Sequence, residues 1–185
     1  MRIQVKRISI NRALLVGASL FLVSSAASNA SAVTDTETFT VTVDPVLTIT
    51  APPTSASMAH SETDTDQAFA PQSWTVAQNA PTGASVSFST DQAFTHATDA
   101  TYKRDAKLDL ALASSDADSG WAITVPIDQT DYANASPDGV ATVSAAATGA
   151  GDAAFNLTVT LVETDFSMLA SGDYSTTVTG TLTSN

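Results

Sequence analysis

The chain has 185 residues, 7 Lys+Arg against 19 Asp+Glu, a formal net charge of −12 and no cysteine. The lack of cysteine excludes a disulfide framework, a thiolate metal site, a cysteine nucleophile and a thiol-linked lipid anchor. The acidity excludes the broad basic face that nucleic acid or an anionic membrane surface requires.

Four of the seven bases, Arg2, Lys6, Arg7 and Arg12, precede the first acid, Asp35. An apolar run comes next at residues 13–23, then small residues ending in Ala30-Ser31-Ala32. This order is that of a secretory signal peptide cleaved after residue 32, with Ala30 as the alternative site. The apolar run is shorter than the ~20 residues of a membrane span. No later run reaches that length, so no membrane insertion is expected after cleavage. Residues 33–185 then keep three bases against nineteen acids, a formal −16. They are expected to form one exported domain, secreted, periplasmic or at the cell surface, large enough to fold on its core without staples.

The apolar pattern of that domain has a period of two. Phe39, Val41 and Val43 alternate with threonines, and Leu47 and Ile49 continue the phase beyond Pro45. Proline lacks the ladder N–H, so Pro45 is expected at an edge or a sheet-switching bend. Trp74 and Val76, a turn at residues 79–83, then Val86 and Phe88 read as a hairpin. Leu108, Leu110 and Leu112 form the next strand. After a Ser119-Gly120 turn, Trp121, Ile123, Val125 and Ile127 form another. Residues 140–147 read as a weak strand. Phe155, Leu157, Val159 and Leu161 alternate cleanly, and Tyr174, Val178 and Leu182 share the inward face of the last strand. Single helical turns are expected at residues 165–169, capped by Asp165, and near residues 66–69. Eight or nine antiparallel strands, rich in Thr and Val, point to an all-β sandwich of Ig-like or fimbrial-like kind, with acidic Thr/Ser outer faces keeping it soluble.

The final stretch, Gly172-Asp173-Tyr174 and then alternating Thr177, Val178, Thr179, Thr181 and Leu182, resembles the terminal strand of bacterial secreted fimbrial and spore-coat-U-like β-sandwiches. The opening Phe39-Thr40-Val41-Thr42-Val43-Asp44-Pro45 is similar to their first strand, and Asn79-Ala80-Pro81-Thr82-Gly83 and Gly120-Trp121 are similar to their middle. The resemblance implies a structural or adhesive surface protein. The chain departs from that family in having no cysteine, and in supplying a last strand of its own.

Asp116-Ala117-Asp118-Ser119-Gly120 carries alternate carboxylates. Asp116 and Asp118 are therefore the candidate Ca²⁺ ligands, against the alternative of a solvated turn. Glu62, Asp64 and Asp66 form a second acidic run. His60 and His96 lie without neighbouring ligands and read as exposed loop residues. Trp74 and Trp121 sit on the inward phase and read as core; if exposed, they would stack on sugar rings. Lys103, Arg104 and Lys107, the only bases after residue 32, read as a solvated spot or a dock for an acidic neighbour. Tyr174 is expected to bond back across its corner. No nucleophile, base or metal set points to catalysis, so no enzyme is expected. The expected role is structural or adhesive, with self-association or docking to other surface proteins through strand edges; the alternative is a carbohydrate- or Ca²⁺-dependent binding module. Residues 36–43 are either the first strand of their own domain or a strand added to another copy.

Overall fold

A computed structural model describes residues 33–134 and 138–185; the leader expected at residues 1–32 lies outside the described residues. The chain divides into two units at residue 41. Within the first, residues 33–41 belong to no strand. The second, Thr42–Asn185, holds every described element.

Thirteen strands are formed among the described residues: β1 (Leu47–Thr50), β2 (Gln67–Ala68), β3 (Gln72–Gln78), β4 (Ala84–Thr90), β5 (Phe94–His96), β6 (Lys103–Arg104), β7 (Ala106–Ser115), β8 (Ala122–Val125), β9 (Ile127–Gln129), β10 (Thr142–Ala146), β11 (Ala153–Leu161), β12 (Tyr174–Ser175) and β13 (Val178–Ser184). All pairings are antiparallel. One sheet runs β1-β3-β11-β7-β9, with β2 on the end of β11. A second runs β13-β4-β10-β8, and a small third runs β12-β5-β6. The architecture is an antiparallel β-sandwich, as the period-two pattern requires.

The core lies between the first two sheets. Trp74, Val76, Leu108, Leu110, Phe155 and Leu157 from one meet Val86, Phe88, Val143 and Ala145 from the other, with Trp121 closing one end. Its rings meet edge-on: Trp74–Phe88 at 5.2 Å, Phe88–Phe155 at 6.1 Å and Trp121–Phe155 at 5.5 Å between centroids. Edge-to-face contact suits the ring quadrupoles and adds about 0.5–1.5 kcal/mol per pair beyond burial.

Some expectations are corrected and others are placed. The strands around residues 79–83 are not a hairpin: β3 and β4 lie in different sheets, so the turn arches across the core. Its geometry is held by Gly83 (φ +82°), which rests against the backbone of Ala147. Pro45 stands two residues before β1, an edge strand, so of its two expected places it takes the edge, and the sheet switch falls at Pro126. It divides one apolar run into β8, at the edge of the second sheet, and β9, at the edge of the first. Residues 66–69 give the strand pair of β2 with β11 in place of a helical turn. The weak strand is β10, central in its sheet, where Ala141, Ala145 and Ala147 are buried. The 3₁₀ turn Phe166–Met168 forms as expected, with the Asp165 carboxylate accepting from Ser167 N.

Candidate functional site

Residues 33–46 form no strand, so the alternating segment is not the first strand of its own sheet. Phe39, Val41 and Val43 are 84, 87 and 76 % exposed. The edge of β3 is occupied by β1, with Ile49 opposite Val76 and Leu47 opposite Gln78. Just upstream, the Asn79 side chain grips the chain: its Oδ1 accepts from Val46 N at 2.7 Å and its Nδ2 donates to the Asp44 carbonyl at 2.8 Å. The Asn79 backbone N–H also donates to Val46 O at 3.3 Å. The chain entering β1 is thus held at Asp44 and Val46 by one residue, Asn79.

The sheets offer edges of unequal length. β8 and β9 are four and three residues long and bend at Pro126. On the opposite side lie β1, with four residues, and β13, with seven. β13 is the longest edge strand of the two main sheets, bonded only to β4. Unpaired edge N–H and C=O groups are templates for another strand.

The outer face of the β13-β4-β10 sheet differs from the expected acidic surface. Its rows are Thr179-Ser89-Thr142, Thr181-Ser87-Ser144 and Thr183-Ser85-Ala146, with no charged residue on any of the three strands. The acids lie elsewhere, mostly in connections.

The basic spot is largely spent inside the molecule. The Arg104 guanidinium meets Glu163 at 3.0 Å and Lys107 meets Asp66 at 3.3 Å. Asp66 also accepts from Glu163 N, and Asp64 from Phe166 N, so the run around residue 64 fastens the connection before β2 onto the 3₁₀ turn. The histidines are not exposed loop residues. His96 is buried in β5; its Nδ1 accepts from Asp99 N at 3.1 Å, leaving Nε2–H to donate to Ser171 O at 3.2 Å. His60 is half-buried, stacked on Phe166 at 5.1 Å, its Nδ1 accepting from Glu62 N. Glu62 itself holds φ +58°, a conformation uncommon for a side-chain-bearing residue. Both tryptophans are buried, which leaves neither as a sugar platform.

Asp116 closes a turn. Its Oδ2 accepts from Asp152 N at 2.9 Å, its N–H donates to Asp152 O, and its carbonyl takes Ser119 Oγ–H at 2.6 Å. Asp118 is exposed beside it. Among the described residues no three His, Asp or Glu side chains gather as a metal set.

Two open cavities of about 430 and 580 Å³, with mixed polar and apolar lining, share Ala56, Phe69 and Phe94 and between them are lined by residues 51–58. The larger is also lined by Met58, Phe166 and Tyr174. The Tyr174 hydroxyl donates to Ala170 O at 3.1 Å, the corner bond expected of it. Burial holds the Tyr174 phenol above its ordinary pKa.

No protein-family model, curated protein or solved structure matches this chain.

Proposed function

We propose that the protein is an exported, non-enzymatic structural subunit of the bacterial cell surface, which associates with further copies through its strand edges. Residues 36–43 of one copy add to an edge strand of the next, with β13 as the favoured acceptor because of its length. The observation that carries this reading is the exposure of Phe39, Val41 and Val43 in an alternating segment outside every sheet. Exposed apolar series of strand pattern mark interaction sites, and strand addition supplies both a backbone ladder and pockets for alternate side chains. The contact is head-to-tail, so it builds open chains, or rings where the rotation between copies closes. The uncharged Ser/Thr face lets sandwiches approach one another in spite of the net −16.

Light scattering across a concentration series tests it. Full-length mature protein is expected to form a ladder of oligomers. Deletion of residues 33–43, or Val41→Asp, is expected to leave monomers with an unchanged melting temperature. A wild-type protein that stays monomeric at millimolar concentration overturns the reading, and so does a deletion variant that associates as before.

A further inference from the structure

We propose that the peptide bond between Asp44 and Pro45 is a self-cleaving bond, and that the fold promotes its scission by holding its carbonyl. The chemistry is independent of self-association, although scission would release the segment on which that association depends.

The reactivity starts from the dipeptide. Asp44-Pro45 is the sole Asp-Pro step in the chain. An aspartyl carboxyl reaches its own main-chain carbonyl carbon through a five-membered ring, an intramolecular attack with a high effective concentration. The proline nitrogen is a tertiary amide with no N–H, and it leaves as a secondary amine once it accepts a proton. Proline also biases the residue before it towards extended backbone, which limits the conformations that Asp44 samples.

The structure adds a positioned donor. Asn79 Nδ2 donates to the Asp44 carbonyl oxygen at 2.8 Å, the atom that becomes the oxyanion when the carboxyl attacks. The orientation of the amide is determined by its other end: Oδ1 accepts from Val46 N at 2.7 Å, so the NH₂ group faces Asp44. The backbone N–H of Asn79 donates to Val46 O as well. The bond is thus gripped on both sides by one half-buried residue at the end of β3, while Asp44 and Pro45 are exposed to water.

Atoms and electrons balance across the step. A carboxyl oxygen of Asp44 bonds to the Asp44 carbonyl carbon, and the C–N bond to Pro45 breaks. The electron pair and a proton go to the proline nitrogen. The resulting cyclic anhydride takes up one water and becomes a C-terminal Asp44 with two free carboxyl groups. The sandwich survives, because β1 begins at Leu47 and Val46 keeps both of its bonds to Asn79.

The test is intact-mass analysis of the full mature chain during incubation in neutral and mildly acidic buffer. A fragment beginning at Pro45 and a partner ending at Asp44 are expected, forming faster from the folded protein than from the same protein in urea. Added hydroxylamine is expected to trap the anhydride as a hydroxamate on the Asp44 fragment. Asp44→Ala, which removes the nucleophile, abolishes the products. Asn79→Asp keeps the acceptor for Val46 N but loses the donor, and is expected to slow cleavage roughly tenfold. Asn79→Ala is expected to slow it likewise, with folding of each variant checked by tryptophan fluorescence. Equal rates in folded and urea-unfolded chains, or an unchanged rate in folded Asn79→Asp, overturn the proposal, as does the absence of a Pro45 fragment.

Discussion

Arg104 donates its Nε–H to both carboxylate oxygens of Glu163 at 3.0 Å, and the Glu163 side chain is wholly removed from solvent. The remaining valences are used as well. Glu163 Oε1 accepts from Asp165 N at 2.8 Å, and Arg104 Nη2 donates to Asp165 O at 2.9 Å. The pair therefore ties β6 to the 3₁₀ turn beside the larger cavity. Removing one partner strands a buried charge, whereas removing both does not. Arg104→Met alone is expected to cost about 3–5 kcal/mol, and Arg104→Met with Glu163→Leu much less. Urea unfolding of the two single variants and the double variant measures this. Additive losses would show that the pair is not coupled.

Gly180 sits where the two sheets close together on the β1 and β13 side. A Cβ there would stand 2.7 Å from Ile49 Cδ1 and 2.9 Å from the Trp74 ring. Gly180→Ala is expected to force those side chains off their rotamers and to destabilise by about 1–3 kcal/mol, read by denaturation with tryptophan fluorescence. Ile49→Val in the same background relieves the nearer contact and is expected to recover part of the loss. No recovery would place the strain elsewhere.

These contacts show what a period-two pattern can and cannot reach. Inward positions in the central strands were legible because alternation reports the pleat directly: Trp74, Val76, Val86, Phe88, Phe155 and Leu157 are all buried, whereas Leu112, Val125 and Ile127 carry the same phase and are exposed. Which sheet a strand joins was not legible. The arch at residues 79–83 and a hairpin share the same turn residues, and only long-range pairing of β3 with β11 separates them. β10 reads as weak because alanine has little β-propensity, yet Ala141, Ala145 and Ala147 are buried in the same core cluster as Phe88, Trp121 and Phe155. The short third sheet had no signal, since Arg104 and His96 are polar and are buried by partners distant in sequence, while Lys103 is only half-buried. For the candidate site, the alternating segment was legible. Its exclusion from the sheet was not, because the Asn79 clamp that directs the chain lies 33 residues away from Val46.

The acidic turn at Asp116 gives a prediction that separates turn from metal ligand. Its carboxylate already satisfies Asp152 N, and its backbone pairs with that residue as well. Asp116→Ala is expected to cost about 1–2 kcal/mol, the range of a bond to a charged group partly screened by solvent. Asp118→Ala is expected to cost nothing measurable. If the turn alone is at work, both differences are the same with and without millimolar Ca²⁺ in thermal melts. A melting temperature that rises with Ca²⁺ in wild type and not in Asp116→Ala would establish a metal role instead.

Tyr174 makes the stability of the fold sensitive to alkali. Burial disfavours its phenolate and raises its pKa above the ordinary value of 10.0. Only the neutral hydroxyl can donate to Ala170 O. The unfolded chain, with an ordinary phenol, therefore loses this proton first as pH rises. Between the unfolded value and the higher folded one the native state binds more protons, so stability falls with increasing pH. The contribution is complete below pH ~10 and is lost progressively above it. Melting temperatures from pH ~8 to ~12 are expected to decline above pH ~10 in wild type. Tyr174→Phe is expected to be about 1 kcal/mol less stable at neutral pH, from the lost hydrogen bond, and to show a shallower alkaline decline. Parallel alkaline limbs in the two proteins would remove Tyr174 as the cause.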